Sequence, residues 1–188
     1  MGQYYYPILK LEGQEKEVFS RDVDGEYTMA KLTEHSWWLN PLMKAMGNKL
    51  YKQKGQLIWL GDYAEQQDFD ERKIAEDAEE LQALTDDGVE IESAEEFSFD
   101  NKYLCNHTTK EYLDLNKFYR QSVCNGWCLC PLSLLTALGN GKGGGDYCGS
   151  NEDKVGIWAW DIISIEDSKP KGYKKFSVVF KETDEEDF

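Results

Sequence analysis

The stretch "GNGKGGGDYCGSNEDKVGIWAWDIISIED", Gly139 to Asp167, decides the fold. Gly139, Gly141 and Gly144 spell G-x-G-x-x-G. A dinucleotide fold needs a strand before such a loop and a helix after it, so that the helix N-terminus meets the pyrophosphate. Here "DYCGSNEDKVG" follows, a poor helix start. A Walker A loop needs Ser or Thr after its Lys, and Lys142 precedes Gly143. Both nucleotide folds fall away. What remains is a glycine turn leading into "VGIWAWDIISIED", whose alternation predicts a strand. "KPKGYKKFSVVFKE" reads as its antiparallel partner, turned at Lys169 to Gly172.

The rest of the chain agrees with that reading. "YYYPILKLEG" is a strand with an edge or bulge at Pro7, and "KEVFSRDV" its hairpin partner before an Asp-Gly turn in "DVDGEY". Asn40 before Pro41, with Leu42, Met43, Met46 and Leu50 at helical spacing, predicts a capped helix over 41–51. "QLIWLGDY" is a strand opened by Gly55. Ile74, Ala78, Leu81 and Leu84 form a thin apolar stripe on a charged helix, 70–84. "TDDGVEIESAEEFSFDN" reads as a loop with short extended pieces, and 102–120 as a hairpin turned at His107 to Lys110. "CPLSLLTALG" is apolar and too short to classify by period. Many short strands with two or three helices, and little β-α alternation, predict one α+β domain over 1–188 with a mostly antiparallel sheet. Residues 62–100 are an acidic helix/loop insertion and 182–188 an acidic tail.

Charge is the strongest compositional signal. The chain has 188 residues, a formal charge of -15 and a mean hydropathy of -0.66. Between Asp62 and Asp100 sixteen acidic residues face only Arg72 and Lys73. Such a field repels nucleic acid and anionic membranes and favours basic partners. The acids Asp68, Asp70, Glu71, Glu76, Asp77, Glu79, Glu80, Asp86 and Asp87 are the candidate partner-binding residues. The plain reading is a solvated surface; the functional one is a surface that occupies a basic groove built for phosphates. No apolar run nears the ~20 residues that span a bilayer. Five cysteines and no leader-like h-region predict reduced thiols in a cytoplasm.

The glycine loop has two readings. One is a surface corner in which glycine supplies positive φ. The other is an anion or ligand loop, with successive N–H groups forming a nest. Its candidates are Asn140, Lys142, Gly143, Gly144, Asp146 and Tyr147, with His107 and Lys110 from the Asn-His-Thr turn. Cys105, His107, Cys124, Cys128, Cys130 and Cys148 could ligate zinc, but their spacing is no standard knuckle, so buried apolar thiols are expected. No catalytic residue, metal or cofactor is assigned.

The blocks "MGQYY", "KLTEHSWW", "WLGDYA", "NHTTKEYLDL" and "LLTALGNGKGGGDY" resemble a family of small bacterial and phage proteins without an assigned activity. The resemblance implies a phage or mobile-element accessory protein in the host bacterial cytoplasm. Small acidic phage proteins include inhibitors of host defence of the anti-CRISPR type. The expected function is therefore inhibition of a basic, nucleic-acid-handling host protein, such as a CRISPR effector nuclease, by an acidic surface that mimics nucleic acid. No nucleic acid or membrane is expected as a direct partner. The alternative is a small-ligand or nucleotide binder, or an enzyme, that uses loop 139–149.

Overall fold

"GQLIWLG" is a nearly unbroken apolar run, the pattern of a strand buried on both faces. It forms β3 (Gly55–Gly61) at the centre of the sheet, and its residues alternate between two cores. Leu57 and Trp59 point to one, Ile58 and Leu60 to the other. The computed structural model describes residues 2–14, 18–22, 30–116 and 129–181, with the backbone alone for 18–22. Among them the sheet has nine strands. The others are β1 (Tyr5–Leu11), β2 (Val18–Asp22), β4 (Val89–Ile91), β5 (Tyr103–Asn106), β6 (Glu111–Asp114), β7 (Ala137–Leu138), β8 (Ile162–Glu166) and β9 (Lys174–Lys175). They lie in the order β4-β2-β1-β3-β8-β5-β6-β9, with β7 also on β3. The fold is α+β, and five of its eight strand pairings are antiparallel.

β1 and β3 pair in register from Tyr5↔Gly61 to Leu11↔Gly55. Pro7 fits inside this strand because of parity. Tyr5 N–H points away from β3, to the Ala30 carbonyl. Pro7 shares that side, and β2 reaches only Leu9 and Lys10 in the register, so no ladder bond to β3 needs a Pro7 donor. The hairpins β1–β2 and β5–β6 form as their sequences predict. The Asp-Gly turn at 24–25, Cys124, Cys128 and the tail 182–188 lie outside the described residues.

Helices cover both faces. On one, α1 (Leu32–His35), α2 (Pro41–Leu50) and α5 (Pro131–Thr136) pack on Leu9, Leu57, Trp59 and Ile163. The predicted cap of α2 is present, with Asn40 Oδ1 accepting from Met43 N at 3.0 Å. All six residues of α5 are buried. The Ser133 and Ser36 hydroxyls meet at 2.6 Å and so satisfy each other within that core. On the other face, α3 (Gln66–Arg72) and α4 (Ala78–Asp87) bury Phe69, Ala78 and Leu81 on Ile8, Ile58 and Leu60.

The sequence reading needs correction in three places. The helix over 70–84 is two helices. Lys73 is left-handed (φ 58°), with its N–H on Asp70 O and Ile74 N–H on Phe69 O, which closes α3. The Asp77 carboxylate then caps α4 through Glu79 N and Glu80 N. Second, 155–160 is not strand. Gly156, Trp158 and Trp160 donate their N–H groups to Leu134, Leu135 and Leu57 carbonyls, a run of turns that ties α5 to β3, and the strand starts at Ile162. Third, β9 does not return along β8 but pairs parallel to β6. One of the extended pieces expected after "TDDG" is β4, parallel to β2, so 62–100 supplies two helices and an edge strand to the domain.

Candidate functional site

The glycine loop sits where the chain leaves β7, beside the C-terminal end of β3 and the start of β1. Gly2 bridges Gly144 and Gln3 N–H donates to Gly144 O at 2.8 Å. Gly139, Gly141 and Gly145 have φ of 95°, 95° and 92°, where a side chain would strain the backbone. In this loop the successive N–H groups of 141–143 converge on one point, the nest of the second reading. Its occupant is the loop's own Asp146. One oxygen, Oδ2, accepts from Gly141 N (2.7 Å), Lys142 N (2.7 Å) and Gly143 N (2.9 Å). The other accepts from the hydroxyl of buried Tyr5 at 2.9 Å. Burial and the Asp146 charge together hold the Tyr5 phenol well above its ordinary range.

The flanking side chains serve the same loop. Asn140 and Tyr147 form a reciprocal pair, Oδ1 accepting from Tyr147 N (2.8 Å) and Nδ2 donating to Tyr147 O (3.1 Å). The Tyr147 hydroxyl donates to Ser150 O at 2.7 Å. Lys142 does not face the nest. Its ammonium donates to Asp68 at 2.6 Å, with Glu65 at 3.5 Å, and these raise its pKa. Gln3 Nε2 reaches Gly139 O and Lys31 Nζ reaches Gly144 O. Tyr5, Gln3 and Lys31 are the supports that sequence reading missed. They lie over a hundred positions from the loop, and nothing in their local sequence marks them.

His107 and Lys110 belong elsewhere. Asn106 pairs Ile163, and Ile163 pairs Gly55, so the β5–β6 turn stands at the N-terminal end of β3. The glycine loop stands at the other end, about 20 Å away at strand rise. His107 has its own chain of hydrogen bonds: Nδ1 to the Tyr173 hydroxyl (2.8 Å), Nε2 to Ser164 Oγ (2.8 Å), and Ser164 Oγ to Glu166 (2.7 Å). A carboxylate only accepts, so the Ser164 proton goes to Glu166, Nε2 donates to Ser164, and Nδ1 accepts from Tyr173. Burial, then Lys54, holds the His107 pKa below its usual value. Ser164, with its proton committed and its side chain fully buried, is no nucleophile. Lys110 Nζ lies over the Tyr173 ring.

Cys105 and Cys130 are buried, and burial pushes each thiol up to about 12. Cys148 is exposed. Among the described residues no group of three or more His, Cys, Asp or Glu side chains is placed to hold a metal ion.

The acidic candidates gather on the outer side of α3 and α4. Asp70, Glu71, Asp77, Glu79, Glu80 and Asp86 are exposed, while Glu76 and Asp68 are half-buried. Asp68 also accepts from Glu65 N at 2.7 Å and so caps α3. Asp87 ends α4. The salt bridge from Lys142 joins this face to the glycine loop. Beside that junction a cleft of about 460 Å³ is rimmed by Asp68, Glu71, Glu152 and Asp153 and walled by Leu138 and Val155. Among the described residues no helix is long and apolar enough to cross a membrane. No family model, curated protein or solved structure matches the chain.

Proposed function

We propose that this chain acts by binding, with the α3–α4 face engaging a basic groove that handles nucleic acid. The observation that carries the reading is the division of labour in these helices. Phe69, Ala78 and Leu81 are spent on the core, while six of the nine candidate acids stand exposed on the outside. Among the described residues, Lys142 is the cation drawn into an ion pair on that face. The self-liganded glycine loop supports the same choice, since the N–H groups a phosphate would need are already bonded to Asp146. The partner class is a basic nucleic-acid-binding protein of a bacterial cytoplasm, of which a CRISPR effector nuclease is one member.

The test is competition. Native chain should displace labelled duplex from such a nuclease, and Glu79→Lys/Glu80→Lys should lose that capacity while unfolding at the native temperature. Displacement by the double variant equal to that of the native chain would refute the proposal.

A further inference from the structure

The two ends of the sheet differ in charge. β4 pairs β2 on one side, and among the described residues no strand covers its other edge. It reads "VEI" and runs into Glu92. Glu90 and Glu92 are exposed, and Val89, an apolar residue, is 42% exposed. At the opposite end β9 pairs β6 alone among the described residues. It consists of Lys174 and Lys175, both exposed, and follows exposed Lys169 and Lys171.

An open strand edge offers unpaired N–H and C=O groups to any other strand. Charge decides which strand is admitted. Two β4 edges would set glutamates against glutamates, and two β9 edges lysines against lysines. Like charges directly opposite are destabilising, whereas opposite charges across strands are favourable. Only β4 against β9 satisfies both edges. We propose that the occupant of each edge is a second copy of this chain, joined head to tail so that β4 of one copy continues the sheet beyond β9 of the next. Adjacent strand residues point to opposite faces, so Glu90, with Glu92 just beyond the strand, meets whichever of Lys174 and Lys175 shares its face, while the stem of the other lysine covers Val89. Such an interface is heterologous, so it propagates into a ring or an open filament rather than a closed two-fold dimer. The contact is short, two to three residues on each edge, so association is weak. It is also salt-sensitive, because exposed pairs are screened within about 8 Å at physiological ionic strength. The inference is independent of the partner proposed for α3 and α4.

Sedimentation velocity over a wide range of concentration tests it, on the full native chain and two charge-reversed forms. Glu90→Lys/Glu92→Lys makes both edges basic, and Lys174→Glu/Lys175→Glu makes both acidic. The native chain should show a concentration-dependent rise in sedimentation coefficient that fades at high salt. Each variant alone should associate at least about tenfold more weakly. Mixed in equal amounts the two should associate again, since every basic edge then finds an acidic one. Should a reversal fail to fold, Glu92→Gln and Lys174→Gln read the same edges. A native chain that stays monomeric at all concentrations, or association that survives either reversal, would overturn the proposal. So would a mixture that remains monomeric while the native chain associates.

Discussion

Replacing Asp146 by alanine removes the anion around which the glycine loop is built, and the cost follows from what is left behind. Four donors lose their acceptor: the amides of Gly141, Lys142 and Gly143 and the hydroxyl of Tyr5. Gly141 and Lys142 are exposed, so water replaces the carboxylate there at small cost, about 0.5–1 kcal/mol each. Gly143 is half-buried and Tyr5 fully buried, and an orphaned buried donor costs about 1–3 kcal/mol. The expected loss is about 3–8 kcal/mol, measured by urea unfolding with the slope unchanged. Tyr5→Phe removes one donor but leaves the carboxylate its three amides, and should cost about 1 kcal/mol. The double variant should lose less than the two singles added together, since the Tyr5 hydroxyl no longer waits unpaired. Asp146→Gly should also be stabilised by inorganic phosphate, which would occupy the vacated nest. A loss below about 1 kcal/mol for Asp146→Ala, the net worth of a single ordinary hydrogen bond, would mean that the carboxylate does not hold the loop together.

Other outcomes follow from single contacts. His35 is buried, and burial holds its pKa at about 4, with Nε2 on the Tyr5 carbonyl. Between the unfolded pKa of ~6.5 and the folded value, the unfolded chain binds a proton that the fold refuses. Stability is therefore full above pH 6.5 and falls by about 3 kcal/mol as pH drops to 4, a slope that His35→Gln should flatten in thermal unfolding. Gly143→Ala places a Cβ 2.6 Å from Gln3 Cβ, so the contact between loop and β1 must open. It should destabilise by about 1–3 kcal/mol in the same unfolding assay. Asp77→Ala removes the cap of α4 and should cost about 1 kcal/mol, read as a lower denaturation midpoint.

The legible parts of the fold were those with a local cause. Asn40-Pro41 announced α2, and the alternation of "YLCN" and "EYLD" around a polar turn announced β5–β6. The break between α3 and α4 was less legible. An apolar stripe through Ile74 and Ala78 continued across it, and only the capping role of Asp77 marked a new start. The partner of β9 was a matter of tertiary choice: "KPKGYKK" carries turn chemistry that suits a return to β8, yet the chain passes on to β6. At the candidate site the glycines left two readings open, a surface corner with positive φ and an anion-binding nest, and the structure combines them, with positive φ at three glycines and three successive amides on one carboxylate. The occupant of the nest was hidden because Asp146 read as a handle for a ligand, whereas it takes the place of one. The grouping of His107 with the loop was not recoverable from sequence, since the register of β3, β8 and β5 sets the two at opposite ends of a strand.

Recognition of a basic groove by the acidic face of α3 and α4 stands or falls with ionic strength. Titrate the native chain against a purified CRISPR effector nuclease carrying labelled nucleic acid, at low and at high salt, beside Glu79→Lys/Glu80→Lys. Charge recognition predicts displacement that weakens steeply as salt rises and is already lost at low salt in the variant. Displacement that is indifferent to both salt and charge reversal, or no displacement at any salt, would contradict it.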